Sequence, residues 1–475
     1  MSDPFHSVDQ NSCHEAAARN HVPPALTDRL CVDILARMNA GILTAGERLP
    51  SVRAFSAQQG VSHDTVLRAY DRLVAQGRVQ AIRGSGYFVL EPRPTAADTL
   101  PPEPCDALDP MRLIHSDLPL DRQPGSGILR HDAVARTEVD RALRSVSGTG
   151  PKTGGGYGDP LGYLPLRRHL LGELRRGGID CPTEAIVTTP GAAAGISLVV
   201  RSLLRAGSMA LVEDPCSFIH AHALMAQGAD IRRVPRLADG PDIDVLREVC
   251  ERHRPKLFVL SSLLHNPTGT SIAMHKAQKL IEIAAEFDMV LVDDCSYADL
   301  LPRNVDQPAV PLILLDRLRQ VIHVGGFSRT VSPAIGPGYV IGGEAHMRYV
   351  RVYRPVTCLG NMILAERTVY RLLSEGSYRR RCMRIQADLA RGTIELRRQM
   401  ASIGLTLPPI QPGLFLWLSL GHGVDASTVA GRMVLRQFLT APATHFTPAP
   451  DMQSYMRFNV TTTIPDAIVS LSTCL

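Results

Sequence analysis

At 475 residues, 45% of them hydrophobic and 20% charged, the chain is longer than one ordinary core organises, so two folded globular units are expected. Its longest apolar runs, such as LFVLSSLL, have the length of buried strands and not of a bilayer span, and the opening MSDPFHSVDQNSCHEAAARN lacks the basic start and apolar core of a signal peptide; no membrane partner and a cytoplasmic location are expected. A net charge of +5 is too mild to argue for nucleic acid by itself, and ten cysteines with no C-x-x-C pair and no histidine cluster at ligand spacing predict neither a metal site nor a disulfide framework.

Residues 1–24 read as a tail, followed by a small unit over 25–90. Leu26, Leu30, Ile34 and Met38 recur every four residues, which predicts a helix with one apolar face closing near Gly41. In LPSVRAFSAQQG, Ser51 is an N-cap and Gly60 a stop. In VSHDTVLRAYDRLVAQG, Ser62 caps a helix with Asp64 in its first turn, a buried set of Val66, Ala69, Tyr70 and Leu73, and Gly77 at its end. RVQAIRGSGYFVL then makes two short strands around a glycine turn. Three helices and a hairpin form a winged helix-turn-helix. Eight arginines against five acids between Leu26 and Leu90 give it a balance of +3. Arg53, His63, Thr65 and Arg68 fall where the second and third helices meet a major groove and its phosphates; Arg83 and Gly84 fall at the wing tip, where glycine lets backbone approach a sugar-phosphate chain.

The stretch AGERLPSVRAFSAQQGVSHDTVLRAYDRLVAQGRVQAIRGSGYFV resembles the DNA-binding domain of the GntR family of bacterial regulators. The resemblance implies DNA as partner, with contacts from Ser51, Arg53, Ser62, Thr65 and Gly84. His63 stands where that family usually has arginine.

EPRPTAADTLPPEPCDALDP has neither helical nor alternating apolar period, so 91–112 reads as a linker ahead of a large unit over 113–475. There, strand-like runs alternate with helical ones: AIVTT with AAAGISLVVRSLL, MALVED with SFIHAHALMAQG, KLFVLSS with KAQKLIEIAAEFD, then MVLVDD and QVIHVGG. The alternation predicts an α/β unit with a mainly parallel sheet covered by helices and ligands gathered at the carboxyl ends of its strands.

Seven motifs in order, GGGYGDPLGYLPLRRHL, TTPGAAAGI, VEDPCSF, HNPTGT, VDDCSYADL, GGFSRTVSPAIGPGY and MRFNV, resemble the fold-type-I aminotransferases. A GntR head on this fold is the architecture of the MocR subfamily of regulators. The resemblance implies pyridoxal phosphate as cofactor and a homodimer. It implies Asp294 at the pyridine nitrogen, Asn266 and Tyr297 on the ring's phenolic oxygen, Gly191 and Ala192 offering N–H groups to the phosphate, and Arg457 gripping a substrate carboxylate.

The departures from that pattern gather at the cofactor. The imine-forming lysine is Arg329, the phosphate-binding arginine aligns with Gly336, and the ring-stacking aromatic aligns with Ser217, with Phe218 beside it as a partial substitute. A guanidinium stays protonated and delocalised, so Arg329 cannot form an imine. The chain's lysines are Lys152, Lys256, Lys276 and Lys279, and none falls at the carboxyl end of a predicted strand. Covalent attachment of the cofactor is not expected, and no catalytic residue is assigned. Either Arg329 holds a small anionic effector, or it pairs with Asp294 and leaves the large unit as a dimerisation platform; noncovalent pyridoxal phosphate is a third alternative. The resulting expectation is a transcriptional regulator with a degenerate aminotransferase-like domain, against an active pyridoxal-phosphate-dependent aminotransferase bearing a DNA-binding appendage.

Overall fold

A computed structural model describes residues 26–39, 43, 46–75, 77–82, 84–90, 113, 116–130, 133–148, 158–302, 309–359, 362–407 and 412–475. The chain divides into two compact units, Met1–Cys105 and Asp106–Leu475. The tail 1–24, the linker 91–112, Arg83 and Lys152 lie outside the described residues.

In the small unit, α1 (Leu26–Asn39), α2 (Val52–Gln59) and α3 (His63–Ala75) precede a hairpin of β1 (Val79–Ile82) and β2 (Gly86–Val89), paired antiparallel. The Ser51 side chain accepts from Ala54 N and Gly60 closes α2 at φ +65°, a left-handed value that glycine adopts without cost. Leu30, Ile34, Phe55, Val66, Ala69, Tyr70, Leu73, Val79 and Val89 share one core. Tyr70 anchors it, stacking on Phe55, meeting Tyr87 edge-on and donating its hydroxyl to Pro50 O at 2.9 Å. Leu26, expected on the buried face of α1, is instead 55% exposed and lies outside that core.

The large unit is built on an eight-stranded sheet ordered β3-β10-β9-β8-β7-β4-β5-β6. Its strands are β3 (Ile186–Thr189), β4 (Met209–Asp214), β5 (Asp230–Leu237), β6 (Gly240–Pro241), β7 (Leu257–Leu260), β8 (Val290–Asp294), β9 (Val321–Gly326) and β10 (Gly338–Ile341). Strands β5, β4, β7, β8 and β9 run parallel. β10 is antiparallel to both of its neighbours, β3 and β9, a reversal hidden in GPGYVI that the alternation of strand and helix did not announce. All four residues of β3 and of β7 are buried, as a sheet covered on both faces requires. Apolar clusters fill the two sides, one around Leu211, Phe258, Leu260, Leu291 and Val321, the other around Val187, Val212, Val259, Val292 and Val324. A second sheet of β11 (Phe415–Ser419), β12 (Ala441–Pro442) and β13 (Tyr455–Asn459), ordered β11-β13-β12, completes the unit with its own cluster of Leu416, Met456, Phe458 and neighbours. No helix among the described residues is long and apolar enough to cross a membrane.

Candidate functional site

In the small unit, Ser51, Arg53, Ser62, His63, Arg68 and Gly84 are exposed and Thr65 is partly so. The Ser62 hydroxyl lies 2.8 Å from that of Thr65 and accepts from Thr65 N at 3.2 Å, so the two hydroxyls fix the start of α3. Arg68 pairs with Asp64 across one helical turn at 2.8 Å; both are well exposed, so this pair opens to other partners at little cost. Gly84 holds φ +81° with nothing within 4 Å of where a Cβ would sit. Polar donors and one face of α3 thus stand clear of the core that Val66, Ala69, Tyr70 and Leu73 bury.

In the large unit the sequence-derived residues gather at the carboxyl ends of the strands. Asp294 ends β8 and Tyr297 follows it; Asn266 lies beyond β7, Arg329 beyond β9, and Gly191 precedes the helix Ala192–Leu203 after β3. Arg457 enters from β13 and donates to Asn266 Oδ1 at 2.6 Å and to the Gly125 carbonyl. The rings of Phe415 and Phe446 lie 4.4 and 4.7 Å from its guanidinium carbon. Burial, with Arg329 adding to the effect and Tyr297 opposing it, pushes Arg457 down to about 10, so it remains a cation at neutral pH. At 2% exposure Arg457 sends one donor from each of Nη1 and Nη2 to protein acceptors, while its Nε is buried without a partner.

Asp294 does not pair with Arg329. His220, on the helix Phe218–Ala226, lies with Nε2 2.9 Å from Asp294 Oδ2, and Ser296 N donates to Oδ1 at 3.0 Å. Burial pushes the Asp294 carboxyl up, but the hydrogen bond and charge of His220 together with Ser296 outweigh it and hold the group below its usual range. Sequence reasoning missed His220; its signal was the first of two histidines in the mainly apolar run SFIHAHALM.

Arg329 is partly buried and its guanidinium stands over the Tyr297 ring at 5.3 Å. Among the described residues it has no hydrogen-bond or ion-pair partner, and its Nε is buried without one. A Cβ on Gly127 would lie 3.7 Å from both Arg329 Nη2 and the Tyr297 hydroxyl and 3.9 Å from Phe415 Cζ, so a methyl there would be in van der Waals contact with all three. Phe218 is taken up by a cluster with Leu113, Trp417, Leu439 and Phe446, which corrects its expected place as a stacking ring. Gly336 has no room for a side chain, since a Cβ there would meet Ser328 Cα at 2.3 Å. Gly338 packs directly on the Gly191–Ala192 peptide, where a Cβ would lie 2.3 Å from Gly191 C. Lys276 is committed to Asp239 at 2.7 Å.

A winged helix-turn-helix ahead of an aminotransferase-type sheet defines the class: a nucleic-acid-binding head on a pyridoxal-enzyme fold. The chain belongs to the aminotransferase class I and II family, whose profile matches residues 132–467, and residues 26–89 match the bacterial regulatory proteins of the gntR family. It is 25% identical over 452 residues to the uncharacterized HTH-type transcriptional regulator YdcR of Escherichia coli, covering 91% of this chain and 94% of that one. It is 28% identical over 381 residues, 78% of each chain, to the HTH-type pyridoxine biosynthesis transcriptional regulator PdxR of Corynebacterium glutamicum. Among solved structures, LysN, the alpha-aminoadipate aminotransferase of Thermus thermophilus complexed with N-(5'-phosphopyridoxyl)-L-leucine, superposes with a TM-score of 0.68 at 22% identity, covering 74% of this chain and 92% of LysN. That likeness establishes the fold.

Proposed function

We propose that this chain is a DNA-binding transcriptional regulator of the MocR/GntR kind whose aminotransferase-fold unit binds a small anionic effector without bonding it. The observation that carries the reading is Arg329: a fixed cation over the Tyr297 ring, without a counterion among the described residues, while its alternative partner Asp294 is held by His220. A guanidinium so placed suits a carboxylate or phosphate. Pyridoxal phosphate held in the family's manner does not fit these residues: the amine is missing, the Gly336 position cannot carry a phosphate-binding side chain, and Phe218 packs elsewhere. No catalytic step is assigned to the site.

Pairing of two chains is part of the reading. Along the helix Glu344–Thr357, Tyr349, Val352, Tyr353 and Val356 form one exposed stripe at i, i+3, i+4 and i+7, with Val356 77% exposed, and Leu359 and Met362 extend it. A dimer burying this stripe would present two winged helices to two half-sites.

The test is binding of the purified full chain to its own upstream DNA over a salt series. Sequence-selective binding that weakens steeply with salt supports the reading. Salt-insensitive or absent binding refutes the DNA role, and a pyridoxyl group fixed on a lysine by borohydride refutes the account of the pocket.

A further inference from the structure

We propose that Asp293, Cys295 and His323 form a binding site for a divalent transition-metal ion of the zinc class, on the face of the sheet turned away from Asp294. Successive side chains of a strand point to opposite faces, so Asp294 and Asp293 serve two sides of β8 and Cys295 follows Asp293. His323 on β9 is the register partner of Asp293 in the parallel ladder. One donor atom from each of the three lies within 4.8 Å of the others, and all three residues are buried. Donors around one tetrahedral zinc lie about 3.3–3.8 Å apart, given bonds of about 2.0–2.3 Å, so the cluster needs to close by at most about 1.5 Å.

Three further observations point to an ion. His323 is 8% exposed and its Nδ1 has no hydrogen-bond partner, an orphaned donor or acceptor that a protein interior does not keep without cause. Asp293 is fully buried with no cationic side chain paired to it among the described residues. Its carboxylate is oriented by Ser262 N at 2.9 Å, Ser262 Oγ at 2.8 Å and Leu312 N at 3.2 Å, the kind of outer contact that fixes a ligating carboxylate. Finally, a cavity of about 1010 Å³ reaches His323, with Asp299, Phe327, Tyr339 and Tyr378 also in its wall. Its lining includes none of Asn266, Asp294, Tyr297, Arg329 or Arg457, and of the three proposed ligands it is His323 that faces it.

The charge balance closes. The Cys295 thiol, 3.2 Å from Asp293 Oδ2, gives up its proton to solvent on binding. Thiolate and carboxylate then neutralise the dication, and the imidazole adds a neutral nitrogen. A mixed sulfur, nitrogen and oxygen set of this kind favours zinc and cobalt over magnesium and calcium.

The experiment titrates the full chain, stripped with a chelator, with cobalt(II) and then zinc(II). The expected result is one ion per chain, a thiolate-to-cobalt charge-transfer band, and its loss as zinc displaces cobalt. Cys295→Ser removes the band, and His323→Gln and Ser262→Ala each weaken binding by about tenfold or more. Cys181→Ser, at a partly exposed thiol elsewhere, leaves band and affinity unchanged. Circular dichroism reports whether each variant is folded, and the wild-type titration stands independently of them. A wild-type chain that takes up no stoichiometric ion, or a band and affinity that survive both Cys295→Ser and His323→Gln, overturns the proposal.

Discussion

Replacing His220 by leucine removes the hydrogen-bond partner of Asp294 Oδ2 and leaves the carboxylate, 11% exposed, with Ser296 N as its remaining donor at Oδ1. Stranding a buried charge in this way costs about 3–5 kcal/mol when the group has no escape. Protonation is the escape. Asp294 in the wild type lies below its usual 3.8, so neutralising it at pH 7 costs at least about 4 kcal/mol, and the ceiling on the loss lies at or above that figure. The expected destabilisation at pH 7 is about 2–4 kcal/mol. Its sign with pH follows from the two states. In the wild type the depressed carboxyl contributes stability that is present above its unfolded value and lost as pH falls through the folded one. In the variant burial raises the carboxyl, so stability is lost as pH climbs past the unfolded value. The difference between the two proteins therefore grows from pH 4 to pH 7. Trp417, the single tryptophan, is buried against Tyr455 and Phe446 in the large unit and reports that unit's unfolding in denaturant without interference from the small one. A loss below about 1 kcal/mol at pH 7, or one that does not shrink on acidification, refutes the role given to His220.

Arg236 and Glu213 form an ion pair with both side chains fully buried, so Arg236→Met should cost about 3–5 kcal/mol in the same assay, because the carboxylate loses its counterion. Arg53→Ala should weaken binding to all DNA sequences alike and reduce the slope of log affinity against log salt by about one, read by fluorescence anisotropy. Gly338→Ala places a methyl 2.3 Å from Gly191 C and should cost about 1–3 kcal/mol while disturbing the start of the helix Ala192–Leu203. Val356→Asp should convert a dimer to monomers in light scattering, with the Trp417 unfolding transition of the isolated chain shifted by less than about 0.5 kcal/mol, since the position is exposed.

Local patterns made much of the fold legible. Ser51, Gly60 and the period of Val66, Ala69, Tyr70 and Leu73 act over one or two helical turns, and the structure uses each as a cap, a stop or a core position. The same holds for AIVTT, MALVED, KLFVLSS, MVLVDD and QVIHVGG, whose buried runs became β3, β4, β7, β8 and β9. The antiparallel β10 was not legible, because strand direction depends on where the chain returns and not on its own composition.

Residue identity by itself settled what Arg329 cannot do, since no environment makes a guanidinium an imine-forming amine. What the pocket's charges do instead was a tertiary decision. Asp294 and Arg329 are 35 positions apart and looked like mutual counterions, yet His220, 74 positions from Asp294, reaches the carboxylate first. Arg457 likewise turns to Asn266 and Gly125, 191 and 332 positions away. Asp293, Cys295 and His323 show no ligand spacing in the chain and meet only because β8 and β9 lie side by side in register. Electrostatic pairing falls off with distance through space, and only folding sets those distances.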